Sequence, residues 1–501
     1  MLRKTRIILA LIFFTAITLL FLDFTGTIHH WLGWMAKIQF MPALLALNLG
    51  VVASLLILTL LVGRVYCSVI CPLGVMQDII TWINSRRKRK NKYRFGYTKE
   101  HVWLRYILLA LFAIAIIAGI GSFVALLAPY SSYGRIASNL FSPIYKWGNN
   151  LLAYFAERAD SYAFYTTDVW LRSLPTFIIA AVTFIVLAVL AWRSGRTYCN
   201  AICPVGTLLG SLSRFSLFAP IINTSKCIDC GICGKSCKAS CIDTKNHRID
   251  YSRCVACMDC LDNCTHDAIH LGSRLKHHTE KESSSADTKS READMSRRTF
   301  LSIAGTVAAV GAANAQKKVD GGLAAIEEKK VPERRTPIVP AGAKGVKHFY
   351  RHCTGCQLCV SECPNEVLRP SSDITRLMQP EMSYERGYCR PECTRCSWVC
   401  PAGAILPVTR EEKSSIQIGH AVWIMANCIP VVDGVECGNC ARHCPTGAIH
   451  MVPSNPDDEN SVKTPIVNTA RCIGCGACEN LCPARPFSAI VVEGNSVHNE
   501  Y

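Results

Sequence analysis

Residues 227–237 read Cys227-Ile-Asp-Cys230-Gly-Ile-Cys233-Gly-Lys-Ser-Cys237, and residues 254–264 read Cys254-Val-Ala-Cys257-Met-Asp-Cys260-Leu-Asp-Asn-Cys264. Both have the spacing C-x2-C-x2-C-x3-C. Three thiolates on one tight loop wrap three irons of a cubane, and the fourth lies far enough round to reach a neighbouring cluster. The spacing therefore assigns Cys227, Cys230, Cys233 and Cys264 to one [4Fe–4S] cluster, and Cys254, Cys257, Cys260 and Cys237 to a second. A zinc ion is the competing occupant, but three thiolates in one x2-x2 loop suit a cubane better than a tetrahedral ion. Two departures stand out: Lys238 and Thr265 follow the last cysteines where Pro is usual, and Cys241 is a spare thiol that could replace Cys237.

Working outward, the C-terminal third holds four more quartets: Cys353/Cys356/Cys359/Cys363, Cys389/Cys393/Cys396/Cys400, Cys428/Cys437/Cys440/Cys444 and Cys472/Cys475/Cys478/Cys482. Each ends before a proline: Pro364, Pro401, Pro445 and Pro483. The second opens with x3 and the third with x8, so those loops are irregular. Proline fixes the backbone after the last ligand, and Gly231, Gly355, Gly438, Gly474 and Gly476 let the backbone approach the sulfurs. Six quartets make six [4Fe–4S] clusters. The 29 cysteines of this 501-residue chain are otherwise hard to explain: disulfide scaffolds are typically short secreted chains, and cysteines two or three residues apart cannot staple distant loops.

Half of the residues are hydrophobic and the net charge is +17. Four apolar stretches, 6–22, 40–63, 104–128 and 174–192, approach the ~20 residues that cross a bilayer as a helix. No small-x-small site follows the first, so an uncleaved anchor is expected rather than a signal peptide. The basic run Arg86-Arg87-Lys88-Arg89-Lys90, with Lys92 and Arg94, reads as a positive-inside loop rather than a nucleic-acid patch. The N-terminus, the 64–103 loop and the chain after 192 should then face the cytoplasm. There is also an internal repeat: residues 63–74 read Gly-Arg-Val-Tyr-Cys-Ser-Val-Ile-Cys-Pro-Leu-Gly, and residues 195–206 read Gly-Arg-Thr-Tyr-Cys-Asn-Ala-Ile-Cys-Pro-Val-Gly. Both copies follow an outside-to-inside helix, so Cys67, Cys71, Cys199 and Cys203 should share one membrane face. They are open to three readings: a metal site, redox-active thiols, or a structural disulfide, which a cytoplasmic face disfavours. The apolar stretches contain no histidine and the chain no C-x-x-C-H, so no haem is expected.

The expected fold is an α-helical membrane domain of four transmembrane helices plus small α+β ferredoxin-like iron–sulfur domains. Residues 1–215 form the membrane domain with its two Cys-x3-Cys-Pro motifs, and 220–272 a cytoplasmic two-cluster domain. Residues 273–295 are a flexible linker. Residues 296–316 carry Arg297-Arg298, Phe300-Leu301 and Ala313-x-Ala315, which resemble a twin-arginine export signal and could serve as a fifth membrane segment or be cut after Ala315. Residues 317–346 are a second linker, and 347–501 a four-cluster domain that the twin-arginine translocase would place in the periplasm.

These motifs carry a family likeness. Residues 1–272 resemble the NapH-type membrane ferredoxins, related to NosR and CcoG proteins, and residues 296–501 resemble NapG-type periplasmic polyferredoxins. The chain looks like a fusion of the two. The resemblance implies a multi-pass protein of the bacterial inner membrane that takes electrons from the quinone pool, as menaquinol, and passes them to a periplasmic reductase. It would then be the electron-transfer subunit of a quinol-linked oxidoreductase. The NosR and CcoG likeness also allows a maturation or regulatory protein, and electron flow from a cytoplasmic donor is a further reading. The resemblance implies that the first C-terminal motif pairs with the fourth and the second with the third: Cys353, Cys356 and Cys359 with Cys482; Cys472, Cys475 and Cys478 with Cys363; Cys389, Cys393 and Cys396 with Cys444; and Cys428, Cys437 and Cys440 with Cys400.

Overall fold

The computed structural model describes residues 2–87, 94–161, 163–274 and 327–500. The twin-arginine segment 296–316, the linker 275–295, residues 317–326 and the basic positions 88–90 and 92 lie outside the described residues.

Two of the four apolar stretches form helices long and apolar enough to cross a membrane, Leu2–Leu22 (α1) and Leu174–Ser194. Each has 21 residues, about 30 Å at 1.5 Å per residue. Both leave large apolar side chains uncovered, among them Ile8, Leu11 and Ile12 on α1, and Ile178, Val182 and Ile185 on the other. The remaining two stretches were expected as single spans and are interrupted instead. In 40–63, the chain leaves Phe40–Leu45 through Leu47, whose φ is +54°. The Asn48 side chain then accepts a hydrogen bond from the Val51 amide and opens a new helix, Leu49–Val62, as N-cap asparagines do. In 104–128, Gly119 at φ +75° ends Val102–Ala118 in a left-handed cap, and Gly121–Leu127 follows. Hydropathy alone does not register such breaks, because Gly and a capping Asn sit quietly inside an apolar run.

The helix Pro129–Ile136 lies between these elements and is buried at every position. Each repeat copy folds alike. Tyr66–Ile70 and Tyr198–Ile202 are single π-turns, closed by Cys71 N–H to Tyr66 O at 2.9 Å and Cys203 N–H to Tyr198 O at 3.0 Å. The second cysteine of each copy is extended, and Pro72 or Pro204 starts the next helix, where a missing N–H is no loss.

Two modules of short strands and helices flank this helical region. In the first, Phe218–Ile222 pairs antiparallel with Ile269–Ser273, and Ile242–Asp243 with Arg248–Ile249. In the second, Leu368–Pro370 pairs with Pro380–Met382, Ile416–Trp423 with Ile490–Glu500, and Ile449–Pro453 with Lys463–Val467. The modules meet opposite ends of α1. At its start, Arg3 pairs with Asp259 at 2.8 Å and Asp262 at 3.3 Å in the first module. Just beyond its end, Gly26 lies so close to the second module that a Cβ there would stand 2.6 Å from Glu362 Oε1. Asn139 to Gln357 (2.8 Å), Trp170 to Glu366 (2.8 Å) and Arg172 to the Val360 carbonyl (2.8 Å) extend that contact.

Candidate metal centres

The cysteine loops share one backbone device. In four of them, left-handed residues separate the thiols: Asp229 and Gly231, Ala256 and Met258, Gly355 and Gln357, Gly474 and Gly476; Gly438 does the same in a fifth. A right-handed turn would carry successive side chains round a helix. The left-handed residues instead turn three thiols toward one point, at a conformational cost that Gly alone avoids. The x3 loop of Cys389 to Cys396 has no such residue: Thr394 sits at φ −115°. The Cys389 amide donates instead to the Cys475 carbonyl at 2.9 Å.

A short helix follows each loop and carries the last cysteine to its far end. In the first module Cys227, Cys230, Cys233 and Cys264 face one small cavity with Ile222 and Ile269. Cys254, Cys257 and Cys260 pack with Cys237 in a second group. Cys241 is buried beside that group, its sulfur 3.5 Å from Cys237 Sγ. The Cys241 thiol, held above its ordinary range, hydrogen-bonds both Cys237 and Cys254, and that bond lowers both of them.

The second module gathers its sixteen cysteines differently from the pairing the resemblance implies. Cys353, Cys356 and Cys359 meet Cys400, not Cys482. Cys389, Cys393 and Cys396 line a cavity with Cys363, not Cys444. Cys428, Cys437 and Cys440 do so with Cys482, not Cys400, and Cys472, Cys475 and Cys478 with Cys444, not Cys363. The reason is local. The helix Leu358–Glu362 packs on Arg395–Val399, and Asn439–Arg442 on Ala477–Leu481, so each loop exchanges its fourth cysteine with its neighbour in sequence. The module is two consecutive two-site units.

Cys67, Cys71, Cys199 and Cys203 are all buried, and the two repeat copies bring them together. The arginines that open the copies cross over. Arg64 donates to the Cys199 carbonyl (3.0 Å), Asn200 (2.9 Å) and the Ser252 carbonyl (3.1 Å). Arg196 donates to the Cys67 carbonyl (2.8 Å) and pairs with Asp78 (2.8 Å). A Cβ on Gly74 would meet the Cys67 carbonyl oxygen at 2.2 Å, and one on Gly206 the Cys199 carbonyl oxygen at 2.2 Å, so glycine is required in both copies. Burial alone would raise Asp78, but Arg196, Lys238 and Arg6 hold it well below the usual carboxylate range. The repeat was legible in sequence; the role of Arg64 and Arg196 was not, although the shared Gly-Arg opening was its signal.

A cavity of about 540 Å³ lies where the helical region meets the second module. Its wall includes Phe24, Lys146, Asp168, Arg172, Glu366 and the cluster-loop residue Cys363.

A family model described as "4Fe-4S binding domain" matches residues 44–91, 174–223 and 396–410, and one described as "4Fe-4S dicluster domain" matches 435–485. The first covers both repeat copies. The chain is similar to the methylamine utilization ferredoxin-type protein MauM of Paracoccus denitrificans, 31% identical over 170 residues, which is 32% of this chain and 73% of that protein. MauM of Methylobacillus flagellatus is 30% identical over 152 residues, 29% of this chain and 64% of that protein. The ferredoxin-type protein NapF of Escherichia coli K12 is 29% identical over 153 residues, 30% of this chain and 84% of that protein. No solved structure matches the chain. The left-handed cysteine loops, the exchanged fourth ligands and these relatives agree: the chain belongs to the ferredoxin-type iron–sulfur electron-transfer proteins that include MauM.

Proposed function

We propose that this protein oxidises menaquinol, passes the electrons to a periplasmic reductase, and links that path across a lipid bilayer to the cluster module on the other face. The observation that carries the reading is the placement of the two modules at opposite ends of α1, whose length of about 30 Å matches the hydrocarbon core. Six [4Fe–4S] clusters, two in the first module and four in the second, occupy the quartets described above. The first module faces the cytoplasm and the second the periplasm of a bacterial inner membrane.

The cavity beside Cys363 has room for a quinol head group. Glu366 and Asp168 in its wall accept the two protons that leave when the quinol gives up two electrons. Cys363, Cys389, Cys393 and Cys396 would hold the cluster beside the cavity that supplies the one-electron acceptor. What the clusters supply is one-electron redox chemistry; the chain supplies position, water exclusion and tuning through hydrogen bonds to sulfur.

The test is cluster reduction in the purified, anaerobic protein. Menaquinol should bleach the cluster absorbance at a catalytic rate, and Glu366→Gln should slow it at least tenfold with iron content unchanged. No reduction by menaquinol of protein whose clusters dithionite does reduce would overturn the quinol step. A second reading has its own observation: Cys230 is exposed and Ile228 is 60% exposed at the first module's outer loop. A soluble cytoplasmic carrier can dock there, and its rate of cluster reduction measured beside that of menaquinol decides between the two donors.

A further inference from the structure

Two pairs of cysteines remain outside the six quartets, and their surroundings are unlike those of ordinary buried thiols. Arg64 is fully buried, yet its partners among the described residues are all neutral: two carbonyls, the Asn200 side chain and, at 3.9 Å, Cys67 Sγ. Its Nε has no partner at all among the described residues, and neither has Arg196 Nη2. Arg196 is also fully buried and stands 3.9 Å from Cys199 Sγ. A buried guanidinium without a counter-charge is strongly disfavoured. Arg64 is such a group, and Arg196 shares its one carboxylate, Asp78, with Arg6 and Lys238; the two, aimed at four thiols, point to an anion at the centre of the quartet. The Gln77 amide adds a hydrogen bond to Cys199 Sγ at 3.3 Å, and the Gly206 amide one to Cys203 Sγ at 3.4 Å. Donors converging on sulfur are what a thiolate-ligated cluster needs.

The quartet also stands in a particular place. On one side, the Arg196 amide donates to the Lys238 carbonyl at 2.8 Å and Asn200 to the Ala239 carbonyl at 3.1 Å, one and two residues beyond Cys237. Arg64 reaches the Ser252 carbonyl, two residues before Cys254. On the other side, Tyr198 hydrogen-bonds Ser132 on the buried helix Pro129–Ile136. That helix carries Gly134, where a Cβ would stand 2.4 Å from the Cys356 carbonyl oxygen, and Tyr130, which faces Cys356 and Cys400. The four cysteines thus lie between one cluster site of the first module and one of the second.

We propose that Cys67, Cys71, Cys199 and Cys203 together hold a seventh iron–sulfur centre, shared between the two repeat copies, that relays electrons between the modules. Neither copy has enough thiols to hold it alone. A cluster with four thiolates carries a net charge near −2, which Arg64 and the excess of cations around Asp78 (Arg6, Arg196 and Lys238) offset. In the relay step the centre gains one electron from a neighbouring [4Fe–4S] cluster, ferric iron becoming ferrous, and passes it to the cluster on the other side. No bond forms or breaks and no proton is needed. A single tetrahedral ion fits less well: about 2.3 Å from each sulfur, it holds the sulfurs roughly 3.8 Å apart. Among the described residues the only trio of potential ligands within 4.8 Å of one another is Cys227, Asp229 and His247. The proposal rests on clusters filling the flanking quartets, not on the identity of the electron donor.

Iron and sulfide analysis of the full chain, with Mössbauer spectra of the iron-57-labelled protein, is the test. Six cubanes give about 24 irons; the seventh centre should add about two if it is a [2Fe–2S] cluster or about four if it is a cubane. Cys199→Ser should lose only that increment and should slow reduction of the second module by a donor restricted to the first module at least tenfold. Because that variant can misfold, Gln77→Leu provides the second arm. It keeps the iron, and its relay centre should show a shifted reduction potential while the other six do not. A wild-type count of about 24 irons, one zinc per chain retained at the quartet, or two disulfides among these cysteines in anaerobic protein would each overturn the proposal. A count well below 24 in the wild type would instead fault the cluster reading of the quartets beneath it.

Discussion

Cys241 shows how far a single residue can be read from sequence. Spacing marks it as a spare thiol and leaves open whether it displaces Cys237. In the fold Cys241 is buried with its sulfur 3.5 Å from Cys237 Sγ, beside the group that Cys237 forms with Cys254, Cys257 and Cys260. Cys241→Ala should therefore keep the iron of that site and lower its potential by roughly 20–60 mV. That is the size of a hydrogen bond of about 0.5–1.5 kcal/mol, at about 59 mV per tenfold change for one electron. Cys237→Ala should instead lose about one to four irons of that cluster; EPR-monitored titration and iron analysis separate the two. Arg64 and Arg196 were invisible for a complementary reason: two arginines in a basic chain look solvated until burial is known. His498 makes a similar point. Burial lowers its pKa to about 4 from 6.5, so the unfolded chain binds more protons between those values. Its contribution to stability is full above pH ~6.5 and is lost as pH falls toward ~4. His498→Gln should flatten that part of the stability–pH curve of the second module, measured by denaturant unfolding.

Elements were legible where spacing is the structure and illegible where one residue breaks a pattern. The cysteine loops follow from C-x2-C-x2-C because the left-handed positions between the thiols recur with it. The apolar runs 40–63 and 104–128 matched a crossing helix in composition, yet Asn48 and Gly119 divide them. The exchange of fourth cysteines in the second module could not be read from spacing either, since spacing says nothing of which helices pack. Substitutions at loop glycines give graded expectations. At Gly231, φ is +67° and a Cβ meets nothing within 4 Å, so Gly231→Ala should cost only the left-handed penalty of about 1–2 kcal/mol. At Gly476 the new Cβ would lie 2.3 Å from the Tyr384 ring. Gly476→Ala should add overpacking of about 1–3 kcal/mol and shed iron from the Cys472, Cys475, Cys478 and Cys444 site on gel filtration, where Gly231→Ala retains it.

At the scale of the molecule, the cysteines sit inside each module's core, as most of it in the first and among buried side chains such as Phe349, Leu358, Tyr384 and Val492 in the second, so the metal is part of the fold. Removing iron with a chelator and reductant should unfold both modules, seen as loss of their thermal transition, while the helices of residues 2–213 persist. The order of parts along the molecule is first module, cysteine quartet of the repeats, buried helix Pro129–Ile136, second module. The sequence supplied the parts and their count, but not their order in space, which depends on contacts such as Arg3 to Asp259 that join residues 256 positions apart. The proposed relay passes electrons through this chain from one face of a bilayer to the other. The direct measurement is reconstitution into sealed, quinone-free vesicles, with a membrane-impermeant reductant added outside and an impermeant dye acceptor trapped inside. The trapped dye should be reduced without detergent, and Cys199→Ser should slow this at least tenfold. Dye reduction only after detergent opens the vesicles, with all clusters loaded, would contradict the relay.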